Sequence, residues 1–375
     1  SLGGEIVFAG NAKDIIKNPV SLTTQYLTGK MQIEIPKKRR KPVNFIQIKG
    51  AQQNNLKNID VAIPLNALSV ITGVSGSGKT TLIKQILYPY LKSQLEGFGE
   101  KPGLFREISG YKNKLKKIEF VDQNPIGRSS RSNPVTYIKA YDAIRDLFAS
   151  QSLSKIRGYQ PKHFSFNVEG GRCDACEGEG EQIVEMQFLA DVHLQCEVCG
   201  GKRFKQEILE VNYNEKNIAD VLELTVDDAI LFFKDKKEVV ARLQPLQDVG
   251  LGYIHLGQSS STLSGGEAQR VKLASFLGKG AAKDPVLFIF DEPTTGLHFH
   301  DISKLLKAFY ALIEIGHTVI VVEHNMDVIK CADWIVDLGP KGGEEGGNLV
   351  FQGTPEDMIK NKKSVTAVYL KEKLT

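Results

Sequence analysis

At 375 residues, with 41% hydrophobic residues and a net charge of +4, the chain has room for two or three folding units with full cores, and its overall charge alone does not call for a polyanionic partner. Its longest apolar run, Val286-Leu287-Phe288-Ile289-Phe290, is strand-sized and far below the roughly 18 residues that cross a bilayer, so no membrane partner is expected. The opening SLGGEIVFAG lacks the basic and apolar regions of a secretion signal, which makes the reducing cytoplasm the expected compartment and metal ligation the expected use of paired thiols.

In chain order, the first feature is a repeat. Gly3 to Leu27 aligns without gaps to Gly346 to Leu370, with thirteen of twenty-five positions identical, so the chain reads as the back half of a tandem duplication, opening with the closing segment of its own kind of domain. PKKRRKP, Pro36 to Pro42, reads as an exposed linker, with a phosphate-contacting arm as a second reading. Strand character begins after Val43 in NFIQIKG and IDVAIP, and LSVITG then runs straight into Gly73-Val74-Ser75-Gly76-Ser77-Gly78-Lys79-Thr80-Thr81, with a helix expected from near Lys79. This segment fits G-x-x-x-x-G-K-[ST] in its required place after a strand. Its glycines let backbone N–H groups turn inward around phosphate, Lys79 can reach the β- and γ-phosphates of ATP, and the Thr80 hydroxyl can ligate Mg²⁺.

A further strand is expected at Lys117 to Gln123, inside a stretch from Lys101 to Arg157 that holds twelve Lys/Arg against five Asp/Glu. That local excess marks the best nucleic-acid face on the chain, with an ordinary solvated surface as the alternative. From there to about Lys283 the chain reads as helical and loop-rich. Within it Cys173, Cys176, Cys196 and Cys199 form two C-x-x-C pairs nineteen residues apart, the spacing of a structural Zn²⁺ site in which four thiolates close a tetrahedral shell. Redox-active pairs are the other reading, but no thioredoxin-like β-α-β pattern surrounds them. From Glu169 to Lys205 the module holds eight acids and four bases, with Lys202, Arg203 and Lys205 clustered past the last cysteine, so it is at most a basic tip on an acidic body.

Strands return at Pro285 to Phe290 and His317 to Val322, separated by a helical stretch from His300 to Ile315, and this alternation indicates an α/β core with mostly parallel strands. The first of these strands delivers Asp291 and Glu292 at its carboxyl end, where ligands of open α/β sheets bind. Asp291 suits a metal held through water and Glu292 the orientation or deprotonation of an attacking water, although two acids there could also simply begin a helix. The remaining cysteine, Cys331, lies in an apolar neighbourhood beside Trp334 and reads as a core thiol.

The phosphate loop, Gln123, LSGGEAQR, DEPTTGLH (Asp291 to His298) and VVEHN (Val321 to Asn325) together resemble the ordered motifs of the ABC ATPases. That resemblance implies that Gln123 contacts Mg²⁺ or the nucleophilic water, that His324 contacts the γ-phosphate, and that Ser264, Gly265 and Gly266 reach the γ-phosphate held by an opposed domain. Locally, Ser264 can cap a helix with Glu267 as its capping-box partner, which is also the plain structural reading of that segment. The phrases GVSGSGKTTL, EGGRCDACEGEG, CEVCGGKRF and LSGGEAQRVKLA, with the half-repeat, closely resemble the UvrA family of ATPases of bacterial nucleotide excision repair. The fold implied is an ABC-type P-loop core, α/β, with an inserted helical signature domain carrying the zinc module. Residues 1–42 would be the tail of a preceding nucleotide-binding domain plus basic linker, 43–125 and 284–375 the core, 126–283 the helical domain, and about 169–205 the zinc module. The resemblance also implies ATP-modulated binding of damaged double-stranded DNA, loading of UvrB through an N-terminal half outside this sequence, and a homodimer in the full-length protein. Arg128 and Arg131, which follow Gln123, join Lys202 and Arg203 as DNA-contact residues. Alternatives are a UvrA-like drug self-resistance ATPase and an ABC transporter ATPase subunit.

Overall fold

The structure is a computed structural model that describes residues 4–18, 20–127, 131–184, 186, 192–278 and 284–374. The chain divides into two units, Ser1–Asp122 with Lys279–Thr375, and Gln123–Gly278.

The strands of the first unit are β1 (Phe45–Ala51), β2 (Ile59–Pro64), β3 (Leu68–Gly73), β4 (Glu107–Ser109) and β5 (Lys117–Val121). In the second unit lie β6 (Glu181–Val184) and β7 (Val192–Gln195); β8 (Val286–Asp291), β9 (Thr318–Val322), β10 (Trp334–Gly339) and β11 (Asn348–Gly353) return to the first. Six of them form one sheet in the order β11-β10-β3-β9-β8-β5, parallel except at β11. Every residue of β3 and β9 is buried, and every residue of β8 except Asp291 is, so these strands read as continuous apolar runs rather than alternating ones. The three-stranded antiparallel sheet β2-β1-β4 covers the other side of the core, with Ile46, Ile48, Val61 and Ile63 packed in one cluster with Ile71, Leu287, Ile289 and Ile320. Leu82, Ile83, Ile86 and Leu87, from a π-helical segment Thr81–Leu87 that follows the phosphate loop, join the same cluster. The helix Phe299–Glu314 buries Ile302, Leu305, Leu306, Phe309, Leu312 and Ile313, a face with a period of three and four residues.

Register decides what meets at the sheet's carboxyl edge. Val322 of β9 stands opposite both Ile71 of β3 and Asp291 of β8. β8 and β9 therefore end level, and β3 runs two residues further, to Gly73, before the phosphate loop.

The two halves of the sequence repeat share local structure. Asn18 Nδ2 donates to Val7 O at 3.0 Å and Asn361 Nδ2 to Val350 O at 3.1 Å; Lys17 pairs with Asp14 and Lys360 with Asp357, each at 2.8 Å. They differ in the strand. Asn348–Gly353 pairs with β10, whereas Ile6 and Val7 of the first copy are exposed and not in a strand, because an extended segment needs a neighbouring strand to satisfy its backbone.

In the basic run Pro36 to Pro42, read as an exposed linker, Lys37, Lys38 and Lys41 are exposed, whereas Arg39 and Arg40 are half-buried. Arg39 donates to Ala332 O at 2.6 Å and Lys330 O at 2.9 Å and pairs with Glu356; the Arg40 N–H donates to Asp333 Oδ1 at 2.9 Å. Asp333 is 1% exposed, and the carbonyls at 330 and 332 lie just past a short helix, so both need the donors that this run supplies.

In the second unit, helices Ala140–Ala149, Lys237–Asp248 and Gly265–Leu277 surround an aromatic core in which Tyr141, Phe148, Phe164 and Phe166 are fully buried. The buried Tyr141 hydroxyl donates to Phe164 O at 2.7 Å. Between the cysteine pairs β6 and β7 pair antiparallel, strands that the expectation of helices and loops did not include.

Candidate functional site

The phosphate loop is set by backbone geometry that side chains would prevent. At Gly73, φ is 130° and a Cβ would lie 2.0 Å from Leu338 O; at Gly78, φ is 103° and a Cβ would lie 2.7 Å from Leu56 Cδ2. Asn55 Nδ2 bridges Gly76 O at 2.8 Å and Gly343 O at 2.9 Å, so a loop after β10 backs the turn. Lys79 is 6% exposed and donates to Gly73 O at 3.0 Å and Val74 O at 2.9 Å. Burial pulls its pKa down, opposed by the carboxylates of Glu292, Asp337 and Asp291. A cavity of about 280 Å³ opens here, lined by Asn54, Asn55, Gly76, Gly78, Lys79, Thr80, Thr81 and Gly343. Ser75 and Thr80 are exposed, Val74 half-buried, and the buried Ser77 hydroxyl makes no hydrogen bond. The donor set fits a polyphosphate, and an exposed hydroxyl at Thr80 fits a Mg²⁺ ligand.

Across the sheet edge, burial followed by the neighbouring Glu292 carboxylate raises the pKa of Asp291. Glu292 has φ 44°, the left-handed region that a glutamate rarely enters, and its N–H donates to Val322 O at 2.9 Å. His324 Nε2 lies 3.7 Å from Glu292 Oε1. Burial, then the charge of Lys79, lowers the His324 pKa against the opposing pull of Glu292 and Glu323. Lys79, Asp291, Glu292 and His324 thus form one electrostatic group in the first unit. Two acids in its surroundings were passed over in the sequence. Asp337, 2% exposed on β10, accepts from Ser364 Oγ at 2.6 Å, and Glu323, 3% exposed, sits directly before His324. Both follow apolar strand residues, the same signal that marks Asp291.

The signature segment lies in the second unit. Ser264 caps the helix Gly265–Leu277, its hydroxyl accepting from the Glu267 N–H at 3.3 Å while Glu267 Oε2 accepts from the Ser264 N–H at 2.8 Å. Glu267 also accepts from the Tyr253 hydroxyl. These hydrogen bonds hold the carboxyl of Glu267 below its usual range despite burial, which is the largest single influence and acts upward. Gly265 and Gly266 follow the cap, and a Cβ on Gly265 would approach Gln123 Cβ at 2.9 Å, which puts the exposed Gln123 beside the signature helix within this unit.

The four cysteines converge, with Sγ atoms all within 4.8 Å of one another. Cys173 and Cys196 sulfurs are 4.0 Å apart and those of Cys176 and Cys199 3.7 Å apart, too far for disulfides. A Zn–S bond of about 2.3 Å gives a tetrahedral edge of about 3.8 Å, so the cluster has the dimensions of a closed four-thiolate site. N–H groups of Cys199 and Val198 directed at Cys196 bring its pKa down to about 7, whereas burial pushes Cys199 up to about 12. Four thiolates this close need a divalent cation to coexist. Gly178, at φ 87°, gives the turn its shape; a Cβ there would lie 2.0 Å from Phe166 O.

Of the residues expected to contact DNA, Lys202 is exposed. Arg203 is turned inward, donating to Gly257 O at 3.0 Å with its guanidinium over the Phe166 ring. Arg131 pairs with Glu179 at 3.1 Å and donates to Glu177 O at 3.2 Å. Arg128 lies outside the described residues. No described helix is long and apolar enough to cross a membrane.

No protein-family model matches the chain. UvrABC system protein A of Clostridium perfringens is 54% identical to it over 373 residues, 99% of this chain and 40% of that protein. The protein of the same name from Staphylococcus epidermidis is 55% identical over 370 residues, 98% of this chain and 39% of that one. Among solved structures, the crystal structure of UvrA2 from Deinococcus radiodurans matches with a TM-score of 0.90 at 45% identity, covering 98% of this chain and 44% of that one. The chain spans about two-fifths of the length of the curated relatives it matches.

Proposed function

The chain belongs, over the part of those proteins that it spans, to the UvrABC system protein A family with its ABC ATPase fold, and from that premise we propose that it binds and hydrolyses ATP and couples nucleotide state to DNA binding. The observation that carries this reading is the meeting of a buried lysine, paired acids and a histidine at the carboxyl edge of one parallel sheet. In the proposed reaction Lys79 and the loop N–H groups of Gly73 to Thr81 hold the phosphates, which accounts for a lysine kept buried among carboxylates. Mg²⁺, held by Thr80 and Asp291 with Gln123 as a further ligand, would supply charge neutralisation between the phosphates. Glu292 orients and accepts a proton from the attacking water, and His324, neutral at neutral pH by virtue of its lowered pKa, donates a hydrogen bond to the terminal phosphate. Ser264, Gly265, Gly266 and Glu267 are proposed to complete the site of an opposed nucleotide domain in trans. That arrangement predicts slow turnover that rises with protein concentration.

Zn²⁺ on Cys173, Cys176, Cys196 and Cys199 is structural in this proposal, since all four positions of the shell are thiolates. Damaged double-stranded DNA is the proposed partner of the second unit, with Lys202, Arg203, Arg128 and Arg131 as contact residues, Arg203 and Arg131 only after leaving their present partners. Because the chain spans two-fifths of its relatives, damage recognition, UvrB loading and homodimerisation are proposed for the whole protein. The test is DNA binding by this chain, with and without ATP, on damaged and undamaged duplex at two salt concentrations. An ATP-dependent change with a steep salt slope supports the reading; no DNA binding at low salt contradicts it.

A further inference from the structure

Glu323 is the least explained charged group near the nucleotide site. It is 3% exposed, yet its carboxylate accepts four hydrogen bonds from neutral donors: Oε1 from the Thr294 N–H at 3.1 Å and from the Thr294 hydroxyl, and Oε2 from the N–H groups of His324 at 2.6 Å and Asn325 at 2.8 Å. Its own N–H donates to Ile71 O at 3.1 Å, two residues before Gly73. One side chain therefore ties together the loop that follows Asp291 and Glu292, the loop that carries His324, and, through its backbone, the strand that enters the phosphate loop. A buried carboxylate is costly unless its oxygens are fully satisfied, and a serine or threonine would reach only one of these loops. Resting on the ATPase reading above, we propose that Glu323 is a positioning residue that fixes the distance between Glu292 and His324 and so holds both in register with the terminal phosphate of ATP.

The geometry gives the reason. Glu292 keeps its left-handed backbone by donating to Val322 O, one residue before Glu323, and the Thr295 N–H closes a turn on Glu292 O at 3.2 Å. Thr294, held by Glu323, is the third residue of that turn. His324 leaves β9 with its N–H already committed to the same carboxylate. The Glu323 carboxylate joins the two loops directly, so its loss removes that link between Glu292 and His324 while leaving Lys79 and its loop in place.

The experiment compares Glu323→Gln, Glu323→Asp and Thr294→Val with the unaltered chain, by steady-state ATP hydrolysis and by amide hydrogen exchange. Glu323→Gln keeps the shape but turns an NH₂ group toward N–H donors on one side. The expected result is a kcat at least tenfold lower, a KM for ATP within threefold, and faster exchange of the 294, 324 and 325 amides. Thr294→Val removes only the hydroxyl tie and should lower kcat several-fold; Glu323→Asp, too short to span both loops, should fall between the two. A kcat within twofold of the unaltered chain for Glu323→Gln overturns the proposal, as does an equal loss in kcat and gain in KM. If Glu323→Gln does not fold, Thr294→Val decides alone, and unchanged turnover by it is equally fatal. Should the unaltered chain hydrolyse no ATP, the ATPase reading fails by itself, whereas unchanged amide exchange at 324 and 325 in Glu323→Gln refutes the tie independently of turnover.

Discussion

The two units reach defined geometry by different means. In the α/β unit, the functional groups sit at the ends of strands whose residues are almost all buried, so hydrophobic packing places Lys79, Asp291, Glu292 and His324 without any cofactor. In the helical unit, the described residues group the cysteine site differently. Among the described residues its buried cluster consists of Cys173, Cys176 and Cys196 with Cys199 packed against it, and the residues of the β7 strand are all exposed. On the proposed function, a ligand would bind the first site after it has folded, whereas a metal ion would be part of the folding of the second.

The sharpest way to break that contrast is metal removal. Chelation, or Cys176→Ser, should unfold the cysteine module, since structural zinc contributes about 10 kcal/mol or more of apparent binding energy that is also folding energy. Hydrogen exchange should show protection lost around 169–205 and kept in β3, β8 and β9; retained protection of the module in metal-free protein would erase the distinction. Glu292→Gln probes the other unit at its chemistry. It should leave ATP bound and slow cleavage on the order of 10³-fold, about 4 kcal/mol, as read by single-turnover hydrolysis. Lys79→Ala acts one step earlier, removing charge-assisted hydrogen bonds worth about 3 kcal/mol, and should weaken ATP binding roughly 100-fold with no loss of zinc content. On the same site, NMR should place the His324 titration midpoint below the ordinary value of 6.5, so that the imidazole is neutral above that pH and gains its proton only on further acidification. The smallest effect is expected at the helix cap: Ser264→Ala should cost about 1 kcal/mol of stability in thermal unfolding of the helical unit, while zinc remains bound.

The same contrast explains what the sequence makes legible. Parallel strands buried on both faces announce themselves as VLFIF and HTVIVV, and the glycine spacing of the phosphate loop is demanded by backbone atoms that would otherwise collide. The capping box at Ser264 and Glu267 and the cysteine spacing are equally local. What the sequence hides depends on distant partners. Within Pro36 to Pro42 the sequence does not show that Arg40 meets Asp333, nearly 300 residues away and buried, while Lys37, Lys38 and Lys41 stay exposed. The repeat at Gly3 to Leu27 keeps its turn and helices but not its strand, because strand formation belongs to the pair and not to the segment. Arg203 looks like a surface cation by its neighbours Lys202 and Lys205, yet the ring of Phe166 and the carbonyl of Gly257 draw it inward. Glu323 was hidden beside a more conspicuous histidine, and only its four donors, contributed by two loops, reveal what it holds.

The central claim is that the α/β unit carries a preformed nucleotide site organised around Lys79. Equilibrium titration of this chain with Mg²⁺-ATP, beside Lys79→Ala, tests it most directly. The account predicts saturable binding at one site per chain that the substitution weakens about 100-fold; no saturable binding, or binding indifferent to the loss of Lys79, would contradict it.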